Sequence, residues 1–213
     1  MIRTQDIRYS YDGIRQMQFP DIHCDSGEGV LVLGPSGSGK TTMLHIMAGL
    51  LKPKSGTVEI SKTSLYEKSK SEIRRIRSNE IGIVFQVPHF ISALSMMDNL
   101  LLSQKLAGRK IHKREVEDYF AELNIGHRLD ARPSELSQGE LQRASLVRAI
   151  INEPSVIFAD EPTSALDDES AARVSGLLKK YAEQNGSALI VVTHDHRIGD
   201  MLNHKVELSK IRE

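Results

Sequence analysis

The stretch Gly34-Pro-Ser-Gly-Ser-Gly-Lys-Thr41 constrains this chain more than any other. Val30-Leu-Val-Leu33 precedes it, a short apolar run of the kind that makes a buried parallel strand. After it, Leu44, Met47, Ala48 and Leu51 recur at i, i+3, i+4 and i+7, the stripe of an amphipathic helix. A strand, a glycine-rich turn and a helix in that order bring unpaired backbone N–H groups and the positive end of a helix dipole to one point. That is a phosphate-binding loop. Gly34, Pro35, Ser36, Gly37, Ser38 and Gly39 would cradle the β- and γ-phosphates of a nucleotide, and Lys40 would neutralise them. The Thr41 hydroxyl would ligate Mg²⁺, with Thr42 next in the binding turn. A glycine-rich turn with an exposed lysine is the alternative, and it does not account for the full match in a strand-to-helix setting.

Further apolar runs extend the pattern. Ile81-Gly-Ile-Val-Phe85, Val156-Ile-Phe-Ala159 and Ala188-Leu-Ile-Val-Val192 read as buried strands, with a helix carrying Val174, Leu177, Leu178 and Tyr181 between the last two. Such alternation predicts a parallel sheet covered by helices. The first thirty residues and Gly56-Thr-Val-Glu-Ile60 read as extra strands at the margin. Between Gln86 and Ile151 the spacing is helical, with Val116, Tyr119, Phe120 and Leu123 as one stripe. The expectation is one domain over 1–213, with an α/β core (1–86 and 152–213) and an inserted helical subdomain at about 87–151.

Composition narrows the partners. The 213 residues carry 28 Lys+Arg and 28 Asp+Glu, a balance that argues against a broad nucleic-acid-binding face. The single cysteine, Cys24, excludes an internal disulfide framework, suits a reducing compartment and reads as a small filler. The beginning, MIRTQDIRYSY, lacks an apolar signal core, and no run reaches the length of a membrane span. The expectation is a soluble cytoplasmic protein that a partner would hold at any membrane where it works.

Two more stretches carry chemistry. Val156-Ile-Phe-Ala-Asp160-Glu161 ends a buried strand in two acids. Beside a phosphate loop, Asp160 can hold Mg²⁺ and Glu161 can polarise an attacking water. Glu135-Leu-Ser-Gln-Gly-Glu-Leu-Gln-Arg143 opens a helix that runs on through Ile150, with Ser137 as its cap. Ser137 and Glu140 have the spacing of a capping box, which many helices carry without a ligand. Gly139 equally leaves the first turn open to an anion. The residues alone leave both possibilities standing.

Together these motifs resemble the ATP-binding subunit of ABC transporters, and the resemblance covers essentially the whole chain. ELSQGELQR is similar to that family's signature motif, commonly LSGGQ. ADEPTSALD, Ala159 to Asp167, is similar to its Walker B motif running into the D-loop. Gln86 in IVFQ falls at the Q-loop glutamine, and His194 in VVTHD at the switch histidine. Tyr11 falls where the family places an aromatic ring against adenine, with Tyr9 a rival. The resemblance implies a P-loop NTPase (RecA-like) core, a marginal antiparallel β subdomain, an inserted helical subdomain, and hydrolysis of ATP with Mg²⁺. Glu161, His194 and Gln86 would be catalytic, while Thr41, Gln86 and Asp160 would hold the metal. It further implies a head-to-tail dimer with a second copy or a paralogous ATPase. In that dimer Ser137, Gln138, Gly139, Glu140 and Asp167 would touch the partner's ATP. Integral membrane permease subunits would take up the motion, at the cytoplasmic face of the inner membrane, with no role for nucleic acid.

Within the family, RPSELSQGE followed by LQR, and FADEPTSALD, are similar to the lipoprotein-releasing and macrolide-exporting (LolD/MacB-type) branch. Gln138 and Glu140 depart from the glycine and glutamine of the common signature; the glutamate is familiar in that branch. The alternatives are an importer ATPase or a cell-division-type complex. A DNA-repair relative would need a long coiled-coil insertion, and a translation-factor relative a second cassette. After Gln86, residues 87–98 cluster Phe90, Ile91, Leu94, Met96 and Met97, which could be core or could line a groove for the permease.

Overall fold

A computed structural model describes residues 1–164, 166–195, 202 and 204–209; Ala165 of the ADEPTSALD motif and the last residues of the expected domain lie outside that set. The chain opens with β1 (Ile2–Tyr9), β2 (Met17–Gln18) and β3 (His23–Cys24), then β4 (Gly29–Leu33) and α1 (Lys40–Met47). Next come β5 (Ser55–Ile60), β6 (Thr63–Ser64), α2 (Lys70–Glu80) and β7 (Ile81–Val84). Three helices follow, α3 (Met96–Leu106), α4 (Lys113–Glu122) and α5 (Gln138–Ile150). The chain then returns through β8 (Val156–Asp160), α6 (Asp168–Asn185), β9 (Ala188–Thr193) and β10 (His204–Glu207).

Two sheets result. The main sheet has the order β10-β4-β9-β8-β7 and is parallel throughout. Its strands alternate cleanly between two cores, as the period of two requires. Val156 and Phe158 of β8, with Val30 and Val32 of β4, face a core shared with α1 and the second sheet. Ile157, Ala159, Leu189 and Val191 face the other core, shared with α3, α4, α5 and α6. The helical segment therefore has no core of its own; it completes one side of the sheet. The second sheet, β2-β1-β5-β6 with β3 also on β1, is antiparallel.

Two elements add to what the apolar spacing predicts. α2 carries one buried residue, Ile76, so its hydrophobic pattern is faint. Its start is set instead by the Ser69–Glu72 capping box. β10 pairs in register with β4, yet its sequence, HKVE, is mostly polar because it is an edge strand. α1 stops earlier than the Leu44-to-Leu51 stripe suggests, since Gly49 turns the chain at φ 68°.

One close approach fixes the helical layer on the sheet. A Cβ at Gly82 of β7 would lie 2.2 Å from the carbonyl oxygen of Ala149, so only glycine lets α5 sit this close. No described helix is long and apolar enough to cross a membrane.

Candidate active site

Parallel pairing explains why motifs far apart in sequence meet. β4, β9, β8 and β7 are adjacent and run the same way, so the loops at their carboxyl ends open on one edge. Leu33 lies opposite Thr193, Asp160 opposite Val192, and Val84 opposite Ala159. A cleft of about 1060 Å³ lies there, lined by Pro35, Ser36, Gly37, Gly39, Lys40, Thr41, Thr42, Gln86, Glu161, His194 and Tyr11.

The loop is drawn around Lys40, whose ammonium donates to the carbonyls of Gly34 (2.8 Å) and Pro35 (3.2 Å). Gly39 precedes the helix at φ 88°, a conformation that admits glycine without strain, and no side chain caps α1. The first turn of α1 thus keeps N–H groups for a ligand. Gly34 and Ser38 stand behind the loop rather than in the cleft wall. A Cβ at Gly34 would meet the Leu208 carbonyl and the Ser38 hydroxyl, both at 2.7 Å.

Asp160, the last residue of β8, is 3 % exposed. Burial raises its carboxyl pKa, while a hydrogen bond from the Thr41 hydroxyl, and more weakly the charges of His45 and Lys40, act the other way. Its Oδ1, buried, has no hydrogen-bond partner among the described residues. A hard cation seeks just such an orphaned carboxylate oxygen beside a hydroxyl. Asp160 and Thr41 therefore fit Mg²⁺; Thr41 and Gln86 line the cleft, while Asp160 is not among its lining residues.

Glu161 is held at φ 47°, a backbone conformation that costs a non-glycine residue about 1–2 kcal/mol. The strain is offset by a dense set of bonds. Its N–H donates to Val192 O (2.9 Å), its Oε2 accepts from the Thr193 hydroxyl (2.7 Å) and the His194 N–H (3.3 Å), and its Oε1 accepts from His194 Nδ1 (2.7 Å). The carboxylate is 7 % exposed and the imidazole 68 %, so the histidine stands between the acid and solvent.

At the mouth, the Tyr11 ring is 68 % exposed and its hydroxyl lies 2.9 Å from Thr42 Oγ1. Tyr9 meets Tyr11 edge-on at 4.9 Å and packs on the β1 side of the core, away from the cleft.

The other predicted residues are elsewhere. Ser137, Gln138 and Gly139 begin α5, with Ser137 and Gln138 exposed, and none lines the cleft. Ser137 Oγ accepts from Glu140 N–H (3.3 Å) and the Glu140 carboxylate accepts from Ser137 N–H (2.7 Å), a complete capping box. Asp167 caps α6 and accepts from Ser170, whose hydroxyl also bonds the Arg143 guanidinium on α5 (3.2 Å). The two exposed helix starts are thus tied together, off the cleft.

A family model for ABC transporters matches residues 18–164. The chain belongs to the ABC transporter family. Its part there is the ATP-binding and ATP-hydrolysing cassette. It is 34 % identical to the lipoprotein-releasing system ATP-binding protein LolD of Idiomarina loihiensis, across 99 % of this chain and 94 % of that protein. It is 37 % identical to the hemin import ATP-binding protein HrtA of Staphylococcus haemolyticus, across 86 % and 84 %. Among solved structures it superposes with a TM-score of 0.91 on the dimeric ATP-binding cassette MJ0796 bound to ADP and Pi. That match is 30 % identical and covers 100 % of this chain and 97 % of that one.

In this ABC cassette the cleft also draws on residues that sequence reasoning passed over. Asp12 and Arg15 line it from the β1–β2 turn and Met17 from the start of β2; in the turn Asp12 Oδ1 accepts from the N–H groups of Ile14 and Arg15. Those bonds lower the Asp12 pKa. A Ser-x-Asp before a glycine, as in Ser10-Tyr-Asp-Gly13, is the available turn signal. Thr193, which fixes Glu161, was given no role beside His194.

Met96 and Met97 are buried in the core, on the first turn of α3, whereas Ile91 is 49 % exposed and Leu94 is half-buried, so the cluster divides between core and surface. Phe90 is half-buried, with the Arg148 guanidinium 4.6 Å from its ring centre. A groove of about 780 Å³ lies instead between α2, β7 and the ends of α3 and α5. Arg74, Arg75, Arg77, Arg148, Leu50, Phe85, His89 and Leu106 are among its lining residues.

Proposed function

We propose that this cassette works as a head-to-tail pair, sandwiching ATP between the phosphate loop of one copy and the α5 N-terminus of the other, and drives a lipoprotein-release-type membrane complex. One observation carries the reading. Lys40, Gln86, Glu161 and His194 line one cleft, while Ser137 and Gln138 are exposed and no residue of the Ser137–Gly139 turn lines it. A helix start that does not line its own cleft is available to serve another molecule's nucleotide.

Lys40 offsets phosphate charge, Tyr11 stacks on the base, and the exposed loop amides orient the γ-phosphate. Glu161 polarises the attacking water, with Thr193 and His194 fixing its carboxylate. Thr41, Asp160 and Gln86 would hold Mg²⁺, which when bound neutralises charge between the β- and γ-phosphates. Closure follows from ATP binding two surfaces at once, and loss of the γ-phosphate removes that bridge. The permease docks in the arginine-lined groove beside Phe85, at the cytoplasmic face of the inner membrane. Similarity to a LolD protein supports the lipoprotein-release branch over the hemin importer's, because more of the chain aligns.

Glu161→Gln tests the reading. It keeps the side-chain shape and loses the charge, so it should bind ATP, cease turnover and accumulate as an ATP-bound dimer in size exclusion with Mg²⁺. Hydrolysis near the unmodified rate would rule out Glu161 as the base.

A further inference from the structure

The sandwich asks the first turn of α5 to receive a phosphate, yet Glu140 places a carboxylate in that same turn. Its Oε2 takes the Ser137 N–H at 2.7 Å, which removes one donor from the turn and sets a negative charge by the helix's positive end. For the helix alone this is favourable; for an incoming anion it is adverse. The structure contains a counterweight. Arg128, from the short turn Gly126–Arg128 after α4, donates its Nε–H to the other oxygen, Oε1, at 2.8 Å. His127 Nε2 lies 3.5 Å from that same oxygen. Glu140's side chain is 11 % exposed and Arg128's 35 %, so the pair is less screened than two surface charges. Burial alone would raise the Glu140 pKa, but the bonds from Arg128 and Ser137 hold it at about 2, so the carboxylate stays ionised and needs a cation.

We propose that Arg128 is a positioning residue: its guanidinium cancels the Glu140 charge and keeps the α5 N-terminus receptive to the γ-phosphate bound by the partner copy. This rests on the sandwich described above. Its consequence is conditional. A glutamine at 140 makes a similar cap without charge and needs no counter-cation, so Arg128 matters only while residue 140 is acidic. A residue that merely braced the turn would matter with either.

The test uses the Glu161→Gln background, with sedimentation velocity in ATP and Mg²⁺ giving the protein concentration at which half the chains dimerise. Arg128→Met should raise that concentration roughly tenfold or more, the effect of one uncompensated charge near a phosphate. ATP affinity of the isolated monomer should not change. Arg128→Lys keeps the charge and should stay within about threefold of the parent. Adding Glu140→Gln to Arg128→Met should restore dimerisation. A double variant as impaired as Arg128→Met overturns the proposal, because removing the group being braced does not rescue a lost brace. If Arg128→Met does not fold, the same comparison is made with Arg128→Gln. Failure of the parent itself, with Arg128 intact, to dimerise in ATP overturns the sandwich and this proposal together. A dimerising parent indifferent to Arg128 overturns this proposal alone.

Discussion

Tyr11 shows how single side chains divide their work. Its ring faces solvent at the cleft mouth, while its hydroxyl is tied to Thr42. We propose that this exposed ring, held by its far end, stacks on the base, an interaction worth about 1–3 kcal/mol. Tyr11→Ala should therefore weaken ATP binding roughly tenfold, and Tyr11→Phe much less, as read by titration with a fluorescent nucleotide. Tyr9→Ala should lower the melting temperature instead, since Tyr9 packs against the core. If Tyr9→Ala is the variant that loses ATP affinity, the platform has been assigned to the wrong ring. Lys40→Ala should abolish tight binding outright, because nothing else in the loop supplies a full positive charge.

The informative element is α5, which connects several regions. Its start carries the Ser137–Gly139 turn, Gln142 donates to the Phe85 carbonyl next to Gln86 (3.3 Å), and Arg143 reaches the α6 cap. Movement of α5 therefore has routes to Gln86 and to Asp167. Gly139→Asp isolates the proposed role of the turn. An acid in the first turn of a helix favours the helix, so folding should be unaffected. It would repel a phosphate arriving from a partner. Monomer ATP affinity should stay within about twofold while turnover falls about a hundredfold, the scale of a lost transition-state donor. Equal loss of monomer binding would mean that the turn serves its own chain. Gly82→Val tests the seating of α5 itself: the added Cβ collides with the Ala149 backbone, so the melting temperature should drop with ATPase activity.

For the whole molecule, the groove is the part that would pass motion onward. Its lining includes Arg74, Arg75, Arg77 and Arg148 and, among the described residues, no aspartate or glutamate. The apolar side chains Leu50 and Leu106 are 39 % and 73 % exposed beside it. A docking segment should be amphipathic and acidic. Arg74→Glu with Arg75→Glu should abolish co-purification with the permease from detergent extracts, leaving ATP binding intact, because both arginines lie outside the cleft. Retention of the permease by that variant would move the docking surface elsewhere.

How much of this was legible in the sequence depends on the range of the interactions. Short-range signals were plain: the strand-loop-helix around Lys40, the Ser137–Glu140 box, and the apolar runs of β7, β8 and β9. Periodicity gives an element's type, and a glycine-rich loop gives its chemistry, because both depend on neighbours within a few residues. The family followed from the order of such motifs. What the sequence could not reveal is which side chains end up beside one another across the sheet. Thr193 was given no role beside His194, yet parallel register brings it to Glu161. Met96 and Met97 could have been core or partner surface, and the inward face of α3 made them core. Four arginines from two helices became one groove only after packing. Local chemistry fixed the class of site, and long-range register and burial decided its membership, since those depend on contacts between residues far apart in the chain.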